Sequence, residues 1–84
     1  MNQAVLALKS LREAIGSEWR HKSLSSSSVT LVNIDERALT VHLTETPSYP
    51  KEWPIRSFLR NFKPSLPKDK VPSWYERLLA DRLL

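Results

Sequence analysis

The chain has 84 residues, no cysteine and a formal net charge of +4, and 40% of its residues are hydrophobic. This length fits one domain with one small core, so we expect a single small domain over residues 1–84. The lack of cysteine excludes a disulfide framework, a thiolate zinc site and a thiol nucleophile. No apolar run approaches the roughly 18 residues of a membrane span, and no secretory signal pattern opens the chain. We therefore expect an intracellular protein without membrane association.

The positive charge is concentrated in one segment of the chain. Residues 1–50 and residues 71–84 each hold equal numbers of basic and acidic side chains, whereas residues 51–70 hold six basic and two acidic ones. A concentrated basic segment can attract phosphate groups or an acidic protein surface. The competing interpretation is a solvated surface that only keeps the protein soluble.

A first helix is predicted over residues 2–15. Asn2 can act as its N-cap, and Gly16 is its natural end because glycine enters the left-handed conformation without a Cβ penalty. Trp19 follows shortly and is expected to pack back on this helix. The apolar residues recur at spacings of three and four, which is typical of one helix face: Ala4, Leu8, Leu11 and Ile15.

Two strands follow a serine-rich connection at residues 23–28. Residues 29–34 are rich in β-branched side chains, and residues 38–44 alternate between apolar and polar. Both patterns are typical of strands, and alternation indicates one buried face. Because residues 35–37 are few and polar, we expect an antiparallel hairpin.

A proline-rich corner then interrupts the regular structure. Residues 46–54 contain three prolines and cannot form a central strand, because proline lacks an N–H donor. The aromatic residues between these prolines indicate a structured corner rather than a loose linker. Residues 55–60 fit either a third short strand or a helical turn, and the alternation of Ile55, Ser57 and Leu59 with other residues slightly favours a strand.

The last element is predicted to be a helix over residues 73–84. Ser73 and Glu76 have the spacing of a capping box, and leucines at helical spacing form its apolar face. The predicted fold class is therefore α+β. It contains an N-terminal helix, an antiparallel hairpin with a third short strand in one interpretation, and a C-terminal helix packed on one face of the sheet.

Three local patterns in this order resemble the RWD domain, a non-catalytic relative of the ubiquitin-conjugating enzyme fold. The first is the end of helix 1, Leu-Arg-Glu-Ala-Ile-Gly-Ser-Glu-Trp at residues 11–19. The second is Tyr-Pro-Lys-Glu-Trp-Pro at residues 49–54, and the third is the leucine-rich helix after that corner. The resemblance implies a protein partner, often in ubiquitin-pathway or signalling complexes, and no catalysis.

The residues themselves also argue against an enzyme. Conjugation of the ubiquitin type needs a cysteine for the thioester, and the chain has none. His21 and His42 are the only histidines, and neither belongs to a readable nucleophile–base–acid pattern. There is no glycine-rich phosphate loop and no metal-ligand spacing. We therefore expect no catalytic residues, no metal and no cofactor.

The first binding hypothesis is an adaptor that contacts a protein partner through aromatic side chains. Large aromatic residues dominate interface hot spots, although core packing is the competing interpretation for these rings, above all for Trp74. Homodimerisation through either predicted helix is a further hypothesis, because small domains often gain core by pairing. The candidate protein-binding residues are Tyr49, Trp53, Trp74 and Tyr75.

The second binding hypothesis is a small basic protein that binds nucleic acid through residues 51–70. Phe58 and Phe62 lie between the basic residues and would stack on bases if exposed, whereas burial in the core is the competing interpretation. The candidate nucleic-acid-binding residues are Arg56, Arg60, Lys63, Lys68 and Lys70.

Overall fold

The computed structural model of the chain describes residues 3–23, 28–44, 50–67 and 69–84. Helices and antiparallel strands follow one another in these residues, so the predicted α+β class is confirmed. The elements in chain order are α1 (Gln3–Glu13), β1 (Glu18–His21), β2 (Ser28–Asp35), β3 (Thr40–Leu43), β4 (Glu52–Pro54), α2 (Ile55–Asn61), β5 (Phe62–Pro64) and α3 (Ser73–Ala80).

The first helix is confirmed, but it ends at Glu13, two residues earlier than predicted, and its predicted N-cap Asn2 lies outside the described residues. α1 buries Ala4, Ala7 and Leu11, and the chain leaves the helix through a turn at Gly16, whose φ is +94°. A Cβ on Gly16 would meet no atom within 4 Å, so the backbone conformation rather than space requires glycine there. The Gly16 amide donates to the carbonyl of Leu31 at 2.7 Å and ties this turn to β2.

The sheet has the strand order β4-β3-β2-β1-β5, with antiparallel pairing between neighbours. The predicted hairpin is the β2–β3 pair. Its turn is closed by Asp35, whose Oδ1 accepts from the amides of Arg37 and Ala38 at 3.0 and 3.1 Å. The β2–β3 register shifts between Leu31 and Asn33, an irregularity that bends a strand and increases its twist.

Residues 55–61 form the helix α2, so the preference for a strand was wrong. Ile55, Phe58 and Leu59 are all buried, and their spacing of three and four residues puts them on one face of a helix. The strand pattern had grouped Phe58 with the exposed arginines instead. The three-residue β4, which ends in Pro54, is an edge strand of the sheet, as expected for a segment rich in proline.

The sheet curls until its two edges approach each other. β4 and β5 lie at opposite ends of the strand order, yet the rings of Trp53 on β4 and Phe62 on β5 are only 5.2 Å apart. α2 joins these two edge strands directly and contacts both of them. Its buried face therefore closes the gap that curling leaves in the sheet.

An aromatic core joins the sheet to the helices. Trp19 on β1 is fully buried, and its ring lies 4.6 Å from Phe58 of α2 and 5.7 Å from Trp74 of α3. Phe58 in turn stacks on Phe62 of β5 at 5.2 Å. The Trp19 Nε1 donates to Ser17 Oγ at 2.7 Å, so its polar edge is satisfied. The contact between Trp74 and Trp19 also confirms that the C-terminal helix packs on the sheet.

The start of α3 differs from the predicted capping box. Pro72, not Ser73, occupies the N-cap position, and no side chain caps the helix there. Pro72 provides its carbonyl instead, which accepts from the amides of Tyr75 and Glu76 at 3.1 and 3.4 Å. The spacing of Ser73 and Glu76 matched the motif, but the helix begins at Ser73, one residue earlier than that motif requires.

We expect Trp19→Ala to lower the free energy of unfolding by about 3–5 kcal/mol, because it removes the largest buried side chain between the two layers. Urea unfolding followed by far-ultraviolet circular dichroism measures this change. Val32→Ala is the control, since Val32 is 45% exposed and surface substitutions usually change stability by less than about 0.5 kcal/mol. Equal losses in the two variants would contradict the central place given to Trp19.

Candidate functional site

α2 presents two arginines on its outer face. Arg56 and Arg60 are exposed and lie four residues apart, so they are neighbours on one side of the helix. The helix ends at Asn61, whose Nδ2 donates to the carbonyl of Ser57 at 2.8 Å. Phe62 then continues in extended conformation into β5. Burial of the apolar face thus fixes the direction in which both arginines point.

The end of α3 holds a third arginine in an unfavourable backbone conformation. The amide of Arg82 donates to the carbonyl of Leu79 at 3.0 Å. The amide of the next residue, Leu83, donates to the carbonyl of Leu78 at 2.9 Å. These two bonds define a Schellman motif, whose left-handed position is usually glycine. Arg82 occupies that position with φ +58°, a conformation that costs an L-residue about 1–2 kcal/mol.

These three arginines line one small cleft, which we call the arginine cleft. Its volume is about 150 Å³, and it lies where the start of α1, the outer face of α2 and the end of α3 meet. The apolar part of its wall comes from two leucines, one on α2 and one after α3. The described residues that line it are Gln3, Arg56, Leu59, Arg60, Arg82 and Leu83.

No carboxylate of the described residues lines the arginine cleft. Cations elsewhere do have acidic neighbours: Arg12 forms an ion pair with Glu36, and Arg77 forms one with Glu13. Asp81 precedes Arg82 in the chain but lines a different groove, between α1 and α3. The cleft is therefore a concentration of positive charge that its lining does not neutralise.

A second basic feature lies on the outer face of the sheet. Arg20 on β1 and Lys63 on β5 stand directly opposite each other in the register, and both are exposed. Like charges in this arrangement repel each other. We call Arg20 and Lys63 the β1–β5 basic pair.

The two remaining basic candidates lie elsewhere. Lys70 is exposed on the connection to α3 and does not line the cleft, while Lys68 lies outside the described residues.

The aromatic candidates for protein binding fall at different depths. Trp74 is only 7% exposed and belongs to the core, so it does not offer a free ring. Trp53 and Tyr75 are partly buried against that core, and the Trp53 Nε1 donates to the carbonyl of Pro50 at 2.6 Å. Tyr49 lies outside the described residues. The structure thus leaves two partly accessible rings, one on β4 and one on α3.

The two phenylalanines of the basic segment are core residues. Phe58 and Phe62 are both fully buried, so neither can stack on a nucleic-acid base.

The two histidines contact neighbouring groups. Nε2 of His42 lies 3.6 Å from Oε2 of Glu52 on the neighbouring strand, and Nδ1 of His21 accepts from the amide of Ser23 at 3.0 Å. Across the part of the chain that the structure describes, no three histidine, aspartate or glutamate residues group as metal ligands would.

A second groove runs between α1 and α3 and has a volume of about 370 Å³. Val5 lines it and is 47% exposed. Leu79 on α3 is 45% exposed. Both side chains add exposed apolar surface to the helices named in the homodimer hypothesis, which stays a prediction.

Sequence reasoning missed Arg82 and Arg20, the residues that complete the two basic features. Both belong to stretches whose charges balance along the chain, so a count by segment could not select them. Arg82 reaches the cleft because the Schellman motif turns the chain back at the end of α3. Arg20 meets Lys63 only because β5 pairs with β1, a pairing between segments far apart in sequence.

Comparison with protein-family models, curated proteins and solved structures found no match to this chain. The RWD resemblance therefore stays a prediction.

Within residues 3–23, 28–44, 50–67 and 69–84, no helix has the length and apolar character needed to cross a bilayer.

We expect Arg82→Gly to leave the free energy of unfolding unchanged or to raise it by up to about 1.6 kcal/mol. Relief of the left-handed strain gains about 1–2 kcal/mol, while the greater freedom of glycine in the unfolded chain costs about 0.4–1 kcal/mol. Arg82→Ala keeps a Cβ and should bring no such gain. Urea unfolding of both variants tests this, and a clear loss of stability in Arg82→Gly alone would contradict the assigned backbone strain.

Proposed function

We propose that the protein is a non-catalytic binding module that contacts the phosphate groups of nucleic acid. The observation that carries this proposal is the arginine cleft, which is lined by two arginines of α2 and one just after α3 and by no carboxylate among the described residues. Arginine is suited to phosphate because its planar guanidinium can form two parallel hydrogen bonds with phosphate oxygens.

The arrangement is costly to the free protein. Like charges four residues apart on a helix destabilise it by about 0.2–0.5 kcal/mol, and this applies to Arg56 and Arg60. The β1–β5 basic pair adds another repulsion across strands. A bound polyanion would offset these repulsions, which a solvated surface with scattered charges would not contain.

Recognition should depend on phosphate rather than on base identity. Phe58 and Phe62 are buried, so neither of the two phenylalanines between the basic residues offers a stacking platform for bases. Contacts to phosphate carry no sequence information directly. We therefore expect similar affinities for single strands of different sequence.

The adaptor hypothesis, which the sequence alone favoured over nucleic-acid binding, is the second candidate here, and one observation favours it. Trp53 and Tyr75 each keep part of their ring accessible at the edge of the core, and tryptophan and tyrosine are frequent interface anchors. Binding through these rings should depend little on salt, whereas binding through phosphate should weaken steeply as salt rises. Salt dependence therefore separates the two candidates.

We expect a fluorescent single-stranded oligonucleotide to bind about 60-fold more weakly at about 200 mM salt than at about 50 mM. This corresponds to a logarithmic slope of about −3, as four or so neutralised phosphates would give. Fluorescence anisotropy at several salt concentrations measures the slope. A slope near zero would contradict binding through phosphate.

Arg60→Gln should weaken this binding about tenfold, or about 1.4 kcal/mol, and make the slope shallower by about 0.7. Arg37→Gln is the matched control, because Arg37 is exposed on the β2–β3 turn and lies outside both basic features. Equal effects of the two substitutions would show that only net charge matters and would contradict a localised site.

A further inference from the structure

The arginine cleft differs in size and charge from a groove in which the backbone of a nucleic acid would lie along its length. Pockets that enclose whole small molecules commonly measure about 300–1,000 Å³, whereas this cleft measures about 150 Å³. It is therefore sized for one chemical group rather than for a nucleotide. Leu59 and Leu83 supply an apolar part of its wall.

Three arginines around one group provide more positive charge than an internal phosphodiester needs. A phosphodiester carries one negative charge, while a phosphomonoester carries about −1.5 to −2 and has three strong acceptor oxygens. Arg56 and Arg60 approach the cleft from α2, and Arg82 approaches from the end of α3. The number and origin of these cations match a terminal phosphate better than an internal one.

Arg82 gives the second, independent argument. Two described residues other than glycine, Leu39 and Arg82, have a left-handed conformation, which persists only where the surrounding structure enforces it. At Arg82 the Schellman motif enforces φ +58°, although glycine would satisfy the same motif without strain. The feature that arginine adds at this position is a cationic side chain at the cleft.

We propose that the arginine cleft binds the terminal phosphomonoester of a nucleic-acid strand. This inference rests on the proposed function, because the terminal phosphate belongs to the nucleic acid that the proposed function assigns to the protein. Arg82 is the specificity-determining residue, since it completes the cleft from outside the basic segment. Gln3 lies at the rim, where its side-chain amide is able to donate a further hydrogen bond.

The test uses one short single-stranded oligonucleotide with an internal fluorophore, prepared with hydroxyl ends, with a 5′-phosphate or with a 3′-phosphate. Anisotropy at about 50 mM salt compares their affinities for the full chain. We expect one terminally phosphorylated form to bind about tenfold more tightly than the hydroxyl form, as one added charge-assisted contact would allow.

Two variants connect this preference to Arg82. Arg82→Gly removes the cation at a position where glycine is favoured, so it should remain folded while the preference falls below about twofold. Arg82→Lys keeps the charge but loses the bidentate geometry, and it should retain part of the preference. Arg37→Gln, the same charge-matched control, should retain all of it. Loss of the preference in Arg37→Gln as well would overturn the assignment to the cleft.

Other outcomes separate this inference from the proposed function. If all three oligonucleotides bind equally well and with a steep salt dependence, the terminal-phosphate inference is wrong while the proposed function stands. If none binds at about 50 mM salt, both are wrong. A phosphoserine peptide with uncharged flanking residues serves as the fourth ligand. If it binds more tightly than every oligonucleotide, the cleft recognises a phosphorylated protein and a nucleic-acid end is excluded.

Discussion

The packing of Trp19 between rings from two helices is the interaction on which the remaining structure depends. Its ring contacts Phe58 of α2 and Trp74 of α3, so one side chain of β1 fixes both helices against the sheet. Phe62 and Trp53 extend the aromatic core to the two edge strands. Because α2 is held in this way, its opposite face and its arginines have a defined orientation.

The arginine cleft is a consequence of that packing and of the end of α3. The buried face of α2 determines where Arg56 and Arg60 lie, and burial of Leu78 beneath the Schellman motif determines where Arg82 lies. The cleft combines like-charge repulsion with backbone strain, and each of these lowers the stability of the free protein. Binding of an anion would convert the same features into affinity, which is why we connect them to function.

The elements with a strong periodic pattern could be predicted from sequence, and the others could not. The α1 helix, the turn at Gly16 and the β2–β3 hairpin follow from spacing and backbone preference alone. β1 holds a single buried side chain in four residues, too few for a readable alternation, and α2 is short enough to fit two periods. The cleft depends on contacts between distant segments, so only the basic residues of α2 could be predicted from the sequence.

The measurement that tests the central claim most directly is an NMR titration of the labelled chain with a short single strand at about 50 mM salt. Backbone amide signals and the Nε–Hε signals of arginine side chains report the contact surface. We expect the largest changes at Arg56, Arg60 and Arg82, with smaller ones at Arg20 and Lys63. Changes confined to the Trp53 indole and β4, or no changes at all, would contradict an anion-binding cleft.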